Sequence, residues 1–127
     1  MENKYSTKLY ELKYDEDQKI LSLIFKRGSS INGEIAKKLV ELSSEISKNE
    51  PHANFVDVRD MMFMSKEGRA VFGNSNKSTV LCIAVVINSK FQKSLGNIYL
   101  KFNKPKINTR LFENQEDAMS WIKQVLK

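Results

Sequence analysis

Between residues 56 and 68, VDVRDMMFMSKEG, the chain gathers two aspartates, an arginine, a serine and a lysine around three methionines and a phenylalanine. Paired carboxylates can divide acid–base work, and an arginine can clamp an anion. A serine that opens a helix presents free backbone N–H groups to phosphate or carboxylate. Asp57, Arg59, Asp60, Met64, Ser65 and Lys66 are therefore candidate ligand- or partner-binding residues, and Asn88 and Ser89, which leave the apolar run VLCIAVVI, form a second junction of the same kind. Catalysis finds less support. Asp57 and Asp60 stand three apart at a strand exit, a spacing that fixes no cleft geometry. His52, the one histidine, sits beside Pro51 in a stretch expected to be an exposed loop at the far end from the two junctions. Cys82 lies inside the apolar run, which favours a core role over thiol chemistry. No Ser-His-Asp set can be assembled, no Cys/His spacing suits zinc, and the five glycines form no phosphate loop or dinucleotide pattern. The residues thus point to no catalytic group, no metal and no cofactor, and to a protein that is not an enzyme.

The elements that must position these residues are legible from periodicity. Leu9–Tyr14 and Ile20–Phe25 are rich in aromatic and branched residues around the turn composition Asp15-Glu16-Asp17-Gln18, a β-hairpin pattern. Asn32 caps a predicted helix in which Ile35, Leu39, Leu42 and Ile46 recur at helical spacing, stopped by Asn49 and Pro51. Residues 54–58 read as a short strand, and residues 66–72 as a helix begun by Ser65 and closed by Gly73 as a left-handed C-cap. VLCIAVVI, residues 80–87, has the run of a strand buried on both faces, as in parallel sheets. Ser89 then starts a helix whose Phe91, Leu95, Ile98, Tyr99 and Phe102 make a stripe expected to face the core, ended by Asn103 and Pro105. A brief edge strand, Thr109–Phe112, precedes a last helix capped by Asn114, with Ala118, Trp121, Ile122 and Val125 inward. The order ββαβαβαβα predicts one α/β domain over residues 1–127, a mixed and mostly parallel sheet flanked by helices, with residues 1–7 an extension or the start of the first strand.

Composition narrows the setting. The longest apolar run is too short for a membrane span, which needs about 20 residues. MENKYSTKLYEL has no apolar signal core, and a single cysteine allows no internal disulfide, so a cytoplasmic protein is expected. Net charge is +6, and residues 68–112 hold eight Lys/Arg and no acid. Lys90, Lys93, Lys101, Lys104, Lys106 and Arg110 form the candidate basic patch within it. Such asymmetry suits an anionic partner, or only solvation. Tyr99 and Phe102 are needed for the core, which disfavours nucleic-acid stacking.

The order of elements, with FVDVRD feeding MMFMSKEG and a helix, resembles the STAS domain of the anti-sigma-factor antagonists. In that family a strand aspartate is followed by a small turn opening a helix, and the first serine of the turn is phosphorylated by a partner kinase. On this chain Asp57 matches the strand acid, Phe63-Met64 the apolar pair and Gly68 the glycine, while the phosphoacceptor position falls on Lys66, with Ser65 one residue earlier. Residues 96–122, GNIYLKFNKPKINTRLFENQEDAMSWI, are similar to a group of small bacterial proteins of unknown function classed as STAS-like or CRAL-TRIO-like. The resemblance implies the fold and a regulatory or small-ligand role; either the loop is shifted by one, so that Ser65 takes the phosphoacceptor place, or the serine phosphoswitch is absent, which is the favoured reading. Two functions follow as expectations: a regulatory protein-interaction module, or a binder of a small anionic or acyl ligand at the strand-end crevice. Homodimerisation through the hairpin or an apolar helix face is compatible with both.

Overall fold

The computed structural model describes residues 4–75 and 78–127, with the side chains of Phe91 and Phe102 outside that description. Its strands are β1 (Lys4–Ser6), β2 (Tyr10–Asp15), β3 (Ile20–Phe25), β4 (Ser30–Ile31), β5 (His52–Asp57), β6 (Phe63–Met64), β7 (Val80–Val86) and β8 (Thr109–Phe112). Its helices are α1 (Gly33–Ile46), α2 (Lys66–Asn74), α3 (Lys90–Phe102) and α4 (Gln115–Leu126). The main sheet runs β1-β2-β3-β5-β7-β8. Pairing is antiparallel through the hairpin and parallel from β3 to β8, so the sheet is mixed and mostly parallel.

Register assigns each strand residue to a face. Leu12, Leu23, Val56, Val85 and Leu111 fall in one row across five strands, and this face carries α1, α2 and α3. The row Ile20, Ala53, Cys82 belongs to the opposite face, where Ala84 and Val86 also meet Ala118 and Ile122 of α4. Small side chains at Ala53, Cys82 and Ala84, all fully buried, let α4 approach closely. Burial pushes the Cys82 thiol up to about 11, which keeps it protonated and inert. The central strand departs from the expected two-sided burial. Cys82, Ala84 and Val86 are buried, whereas Ile83 and Val85 are only half-covered and Leu81 is exposed.

Three further sequence expectations need correction. Residues 4–6 are a separate edge strand rather than the start of the hairpin, pairing with β2 through Tyr5 and Leu12. Gly73 lies within α2 and not beyond it, since glycine is needed there for contact: a Cβ would stand 3.1 Å from the Asn103 side chain. The α3 stripe does not all face inward. Gly96 packs against Leu111 of the sheet and Tyr99 is covered, burial raising its phenol to about 12, but Leu95 and Ile98 are 48% and 50% exposed. Phe91 and Phe102, which the stripe also invoked, have side chains outside the described set.

The two-residue strands β4 and β6 pair in parallel, Ser30 with Phe63 and Ile31 with Met64. They hold the starts of α1 and α2 side by side, and Ser65 N–H donates to the Ile31 carbonyl at 2.8 Å. Gly68 makes this approach possible: an added Cβ would lie 3.1 Å from both the Ile31 carbonyl oxygen and Met64 Cγ. Alanine would ordinarily favour a helix over glycine by about 1 kcal/mol. Here the backbone oxygen cannot move aside, so Gly68→Ala is expected to reduce stability by about 1–3 kcal/mol, the usual cost of overpacking, in urea unfolding.

Candidate functional site

Because β5 and β7 are parallel neighbours, their carboxyl ends emerge at one rim, and the chain leaves each toward a helix capped by serine. Ser65 is extended and its Oγ accepts from Gly68 N–H at 3.0 Å; Ser89 Oγ accepts from Gln92 N–H at 3.2 Å. Both caps arise from the same chemistry, a short hydroxyl that can satisfy a first-turn donor. Asn32 and Asn114 cap α1 and α4 in the same way through their side-chain oxygens.

The charged residues of the rim are spent on one another. Asp57 Oδ1 accepts from Arg59 N–H and Nε at 3.0 Å each, and Asp57 Oδ2 accepts from Arg59 Nη2 at 2.8 Å. The Asp57 side chain is 13% exposed and that of Arg59 39%, and the carboxylate raises the guanidinium above its ordinary range. A bidentate pair of this kind leaves Arg59 little capacity to clamp a second anion. Asp60 points to solvent, and its carbonyl accepts from Gly28 N–H at 3.0 Å. Arg69 donates to the Met64 carbonyl at 2.9 Å.

Asn88 joins the two junctions directly, its Nδ2 donating to the Arg59 carbonyl at 2.5 Å. Gln92 completes the connection, and the sequence reading did not single it out. Gln92 Nε2 donates to the Val58 carbonyl at 2.9 Å while its Oε1 accepts from Asn88 N–H at 2.9 Å. Its position one turn inside the Ser89-capped helix was the available signal. The structure therefore unites Asp57, Arg59, Asn88, Ser89 and Gln92, whereas Met64, Ser65 and Lys66 are held against Ile31 and the start of α1 through β6 and the start of α2. Lys66 is exposed at the first position of α2. Of the methionine-rich stretch, Met61 and Met64 pack on the core, while Met62 and Phe63 are 73% and 57% exposed.

The basic residues do not make one surface. Lys90, Lys93 and Lys101 belong to α3, on the three-helix face. Arg110 lies on the opposite face, its guanidinium 5.6 Å from the Phe112 ring centre and 5.3 Å from that of Trp121 on α4. Lys104 and Lys106 occupy the loop between α3 and β8. Lys93 reaches Glu113 at 3.9 Å. The alternation of β8 side chains splits the patch. Among the described residues no group of three or more His, Cys, Asp or Glu is placed to hold a metal, and no helix is long and apolar enough to cross a membrane.

With this geometry in hand, comparison with known proteins is informative. A family model described as a domain of unknown function, DUF7793, matches residues 14–126. The chain belongs to the DUF7793 family. Among solved structures it is similar to an uncharacterised protein of the DUF3478 family from Shewanella loihica PV-4, described as having a SpoIIAA-like fold. That likeness has TM-score 0.64 at 14% identity and covers 93% of this chain and 98% of the other. The similarity establishes a STAS-like, SpoIIAA-like fold for this DUF7793 member, as the sequence resemblance implied. No curated protein matches.

Gln92→Ala is expected to cost about 1–2 kcal/mol, since two net hydrogen bonds vanish and the Val58 carbonyl keeps only the Met61 N–H. Urea titration should show the loss, and amide exchange should quicken at Asn88, whose N–H donates to Gln92.

Proposed function

We propose that this DUF7793 domain is a non-enzymatic regulatory docking module that binds a protein partner at the rim of β5 and β7 and works without a serine phosphoswitch. The observation that carries this reading is the exposure of Met62 and Phe63, 73% and 57%, in the loop that leads into Ser65. Large apolar side chains displayed together beside a polar rim are a common mark of protein contact, and thioethers adapt to varied surfaces. The resemblance of the sequence to the anti-sigma-factor antagonists, which the shared fold type accompanies, supports a regulatory role. The position at which the resembling family is phosphorylated carries Lys66, a fixed cation that cannot accept a phosphoryl group by that chemistry. Asp57 and Arg59 satisfy each other, which supports a positioning role for them rather than acid–base work.

A second reading, binding of a small anionic or acyl ligand at the same crevice, is favoured by one feature. Leu95 and Ile98 continue from the Ser89 cap along α3 as half-exposed apolar side chains, a lane along which a ligand's apolar portion could lie.

The docking reading is tested by Met62→Ser/Phe63→Ser. Both side chains face solvent, so the melting temperature should stay within about 3 °C of the parent, as for ordinary surface changes. Affinity capture with the parent chain should recover a partner that the double variant loses at least tenfold. Equal recovery with both chains would remove the loop from the interface, and a native mass spectrum with a small molecule retained by both would favour the ligand reading.

A further inference from the structure

At the end of the sheet opposite the rim, three independent features coincide. His52, expected in an exposed loop, opens β5 and is 2% exposed, because the parallel pairing of β3 with β5 draws it under the hairpin turn. Its ring lies edge-on to Tyr14 with centroids 5.7 Å apart, and its Nδ1 donates to the Glu50 carbonyl at 2.7 Å. That bond places the proton on Nδ1 and leaves Nε2 a bare acceptor. Nε2 has no protein partner, nor do Tyr14 Oη, Glu50 Oε1 and Asn54 Oδ1, all buried. Tyr14 and Asn54 fall in one row across the sheet, each opposite Leu21.

Two ion pairs close over this cluster, and both run from the β2–β3 turn to the segment after α1. Lys19 Nζ meets Glu50 Oε2 at 3.0 Å, and Lys48 Nζ meets Glu16 Oε1 at 2.8 Å. The backbone is strained at the same place: Lys19, Lys48 and Asn49 have φ of 60°, 56° and 55°, in the left-handed region that non-glycine residues avoid. Such strain persists only where surrounding contacts over-determine it. The groups facing His52 are thus Tyr14 from β2, Glu50 from beyond α1 and Asn54 from its own strand, while Glu16, Lys19, Lys48 and Glu50 surround the Tyr14 phenol and Asp15 is engaged by the turn's own amides.

We propose that this end of the molecule is a proton-operated clasp, in which uptake of a proton by His52 parts the hairpin turn from the segment after α1 and leaves the opposite rim closed. Protonation puts a buried cation beside the Glu50 carboxylate, which Lys19 already engages, and the two strained lysine positions are released when their ion pairs part. Burial holds the imidazole below its ordinary range, outweighing the pull of the Glu50 carbonyl. The sign follows: the folded chain resists a proton that the unfolded or opened chain accepts, so the clasp is fully stable above the ordinary histidine value of about 6.5 and weakens as pH falls through the lower folded value.

Amide hydrogen exchange on the intact chain tests this, because local opening is read residue by residue. The Ala53 N–H, which donates to the Lys19 carbonyl at 3.0 Å, reports on the clasp; Val58 and Ser65 report on the rim. Between about pH 7.5 and 5.5, after correction for intrinsic rates, protection at Ala53 should fall at least about threefold and hold at Val58 and Ser65. The His52 imidazole, followed by NMR in the folded chain, should titrate below about 6.5, at the acid end of that loss. His52→Phe keeps a ring against Tyr14 and should abolish the pH dependence. Should that variant not fold, the order of the two transitions in the parent decides. Protection independent of pH, equal loss at both ends, or a His52 titration at or above the ordinary histidine value would each overturn the proposal.

Discussion

Parallel pairing of β5 with β7 is the constraint on which the rest depends. It sends two chain exits to one edge, sets Ser65 and Ser89 at the heads of helices on the same face, and lets Asn88 and Gln92 reach back to the carbonyls of Val58 and Arg59. Its own support is the contact of Cys82, Ala84 and Val86 with Ala118 and Ile122 of α4. Small residues in the strand and an alanine in the helix bring the layers close, and close packing in an interior multiplies weak dispersion contacts. Loosening that layer would disturb both exits together.

Electrostatics at the rim run against a first reading of its residue types. An arginine and two aspartates in four positions suggest an anion clamp or an acid–base pair. Sequence spacing instead lets Arg59 fold back on Asp57, two residues earlier, in a fork that fills both carboxylate oxygens. Local closure is entropically cheap, since few torsions separate the partners. What the rim offers outward is then apolar, Met62 and Phe63, with Lys66 as its prominent cation. That division, charges satisfied inward and sulfur and ring displayed outward, is the physical basis for docking over chemistry.

Most of the fold was legible because periodicity and caps agreed: the hairpin, α1 with Leu39, Leu42 and Ile46 buried and Ile35 packed partly against the core, and four helices each opened by Ser or Asn lie where the pattern put them. Misses have separate causes. β4 and β6 are two residues long, too short to carry a period. His52 follows a proline, which reads as loop, yet its burial depends on a strand more than thirty residues away. The α3 stripe is apolar over a wider arc than the sheet can cover, and helical spacing does not say which part of that arc is covered. Gly73 was read from local turn chemistry when its cause is a tertiary contact with Asn103. Of the candidate site, the junction residues were visible and their mutual bonding was not. Gln92 in particular is an ordinary helix residue until β5 and β7 are paired.

The two ends of the sheet hold their polar groups in opposite ways. At the rim nearly every named donor meets an acceptor, through Asp57 with Arg59 and Gln92 with Val58 and Asn88, and the backbone departs from left-handed strain. At the far end a buried phenol hydroxyl and the buried acceptors of His52, Glu50 and Asn54 lack hydrogen-bond partners, beneath ion pairs whose lysines sit in strained backbone. Unsatisfied buried polar atoms cost about 1–3 kcal/mol each, a burden that ordinary packing must offset. The hairpin meets this cost through Leu12, Leu21, Leu23 and Phe25, which hold β2 and β3 on the helical face whatever the protonation of His52. The fold can therefore keep a weak joint at one end without endangering the rim at the other, since Phe55, Ala84 and Val86, which secure the rim ends of β5 and β7, lie further along the strands than Ile20 and Ala53 beside the joint.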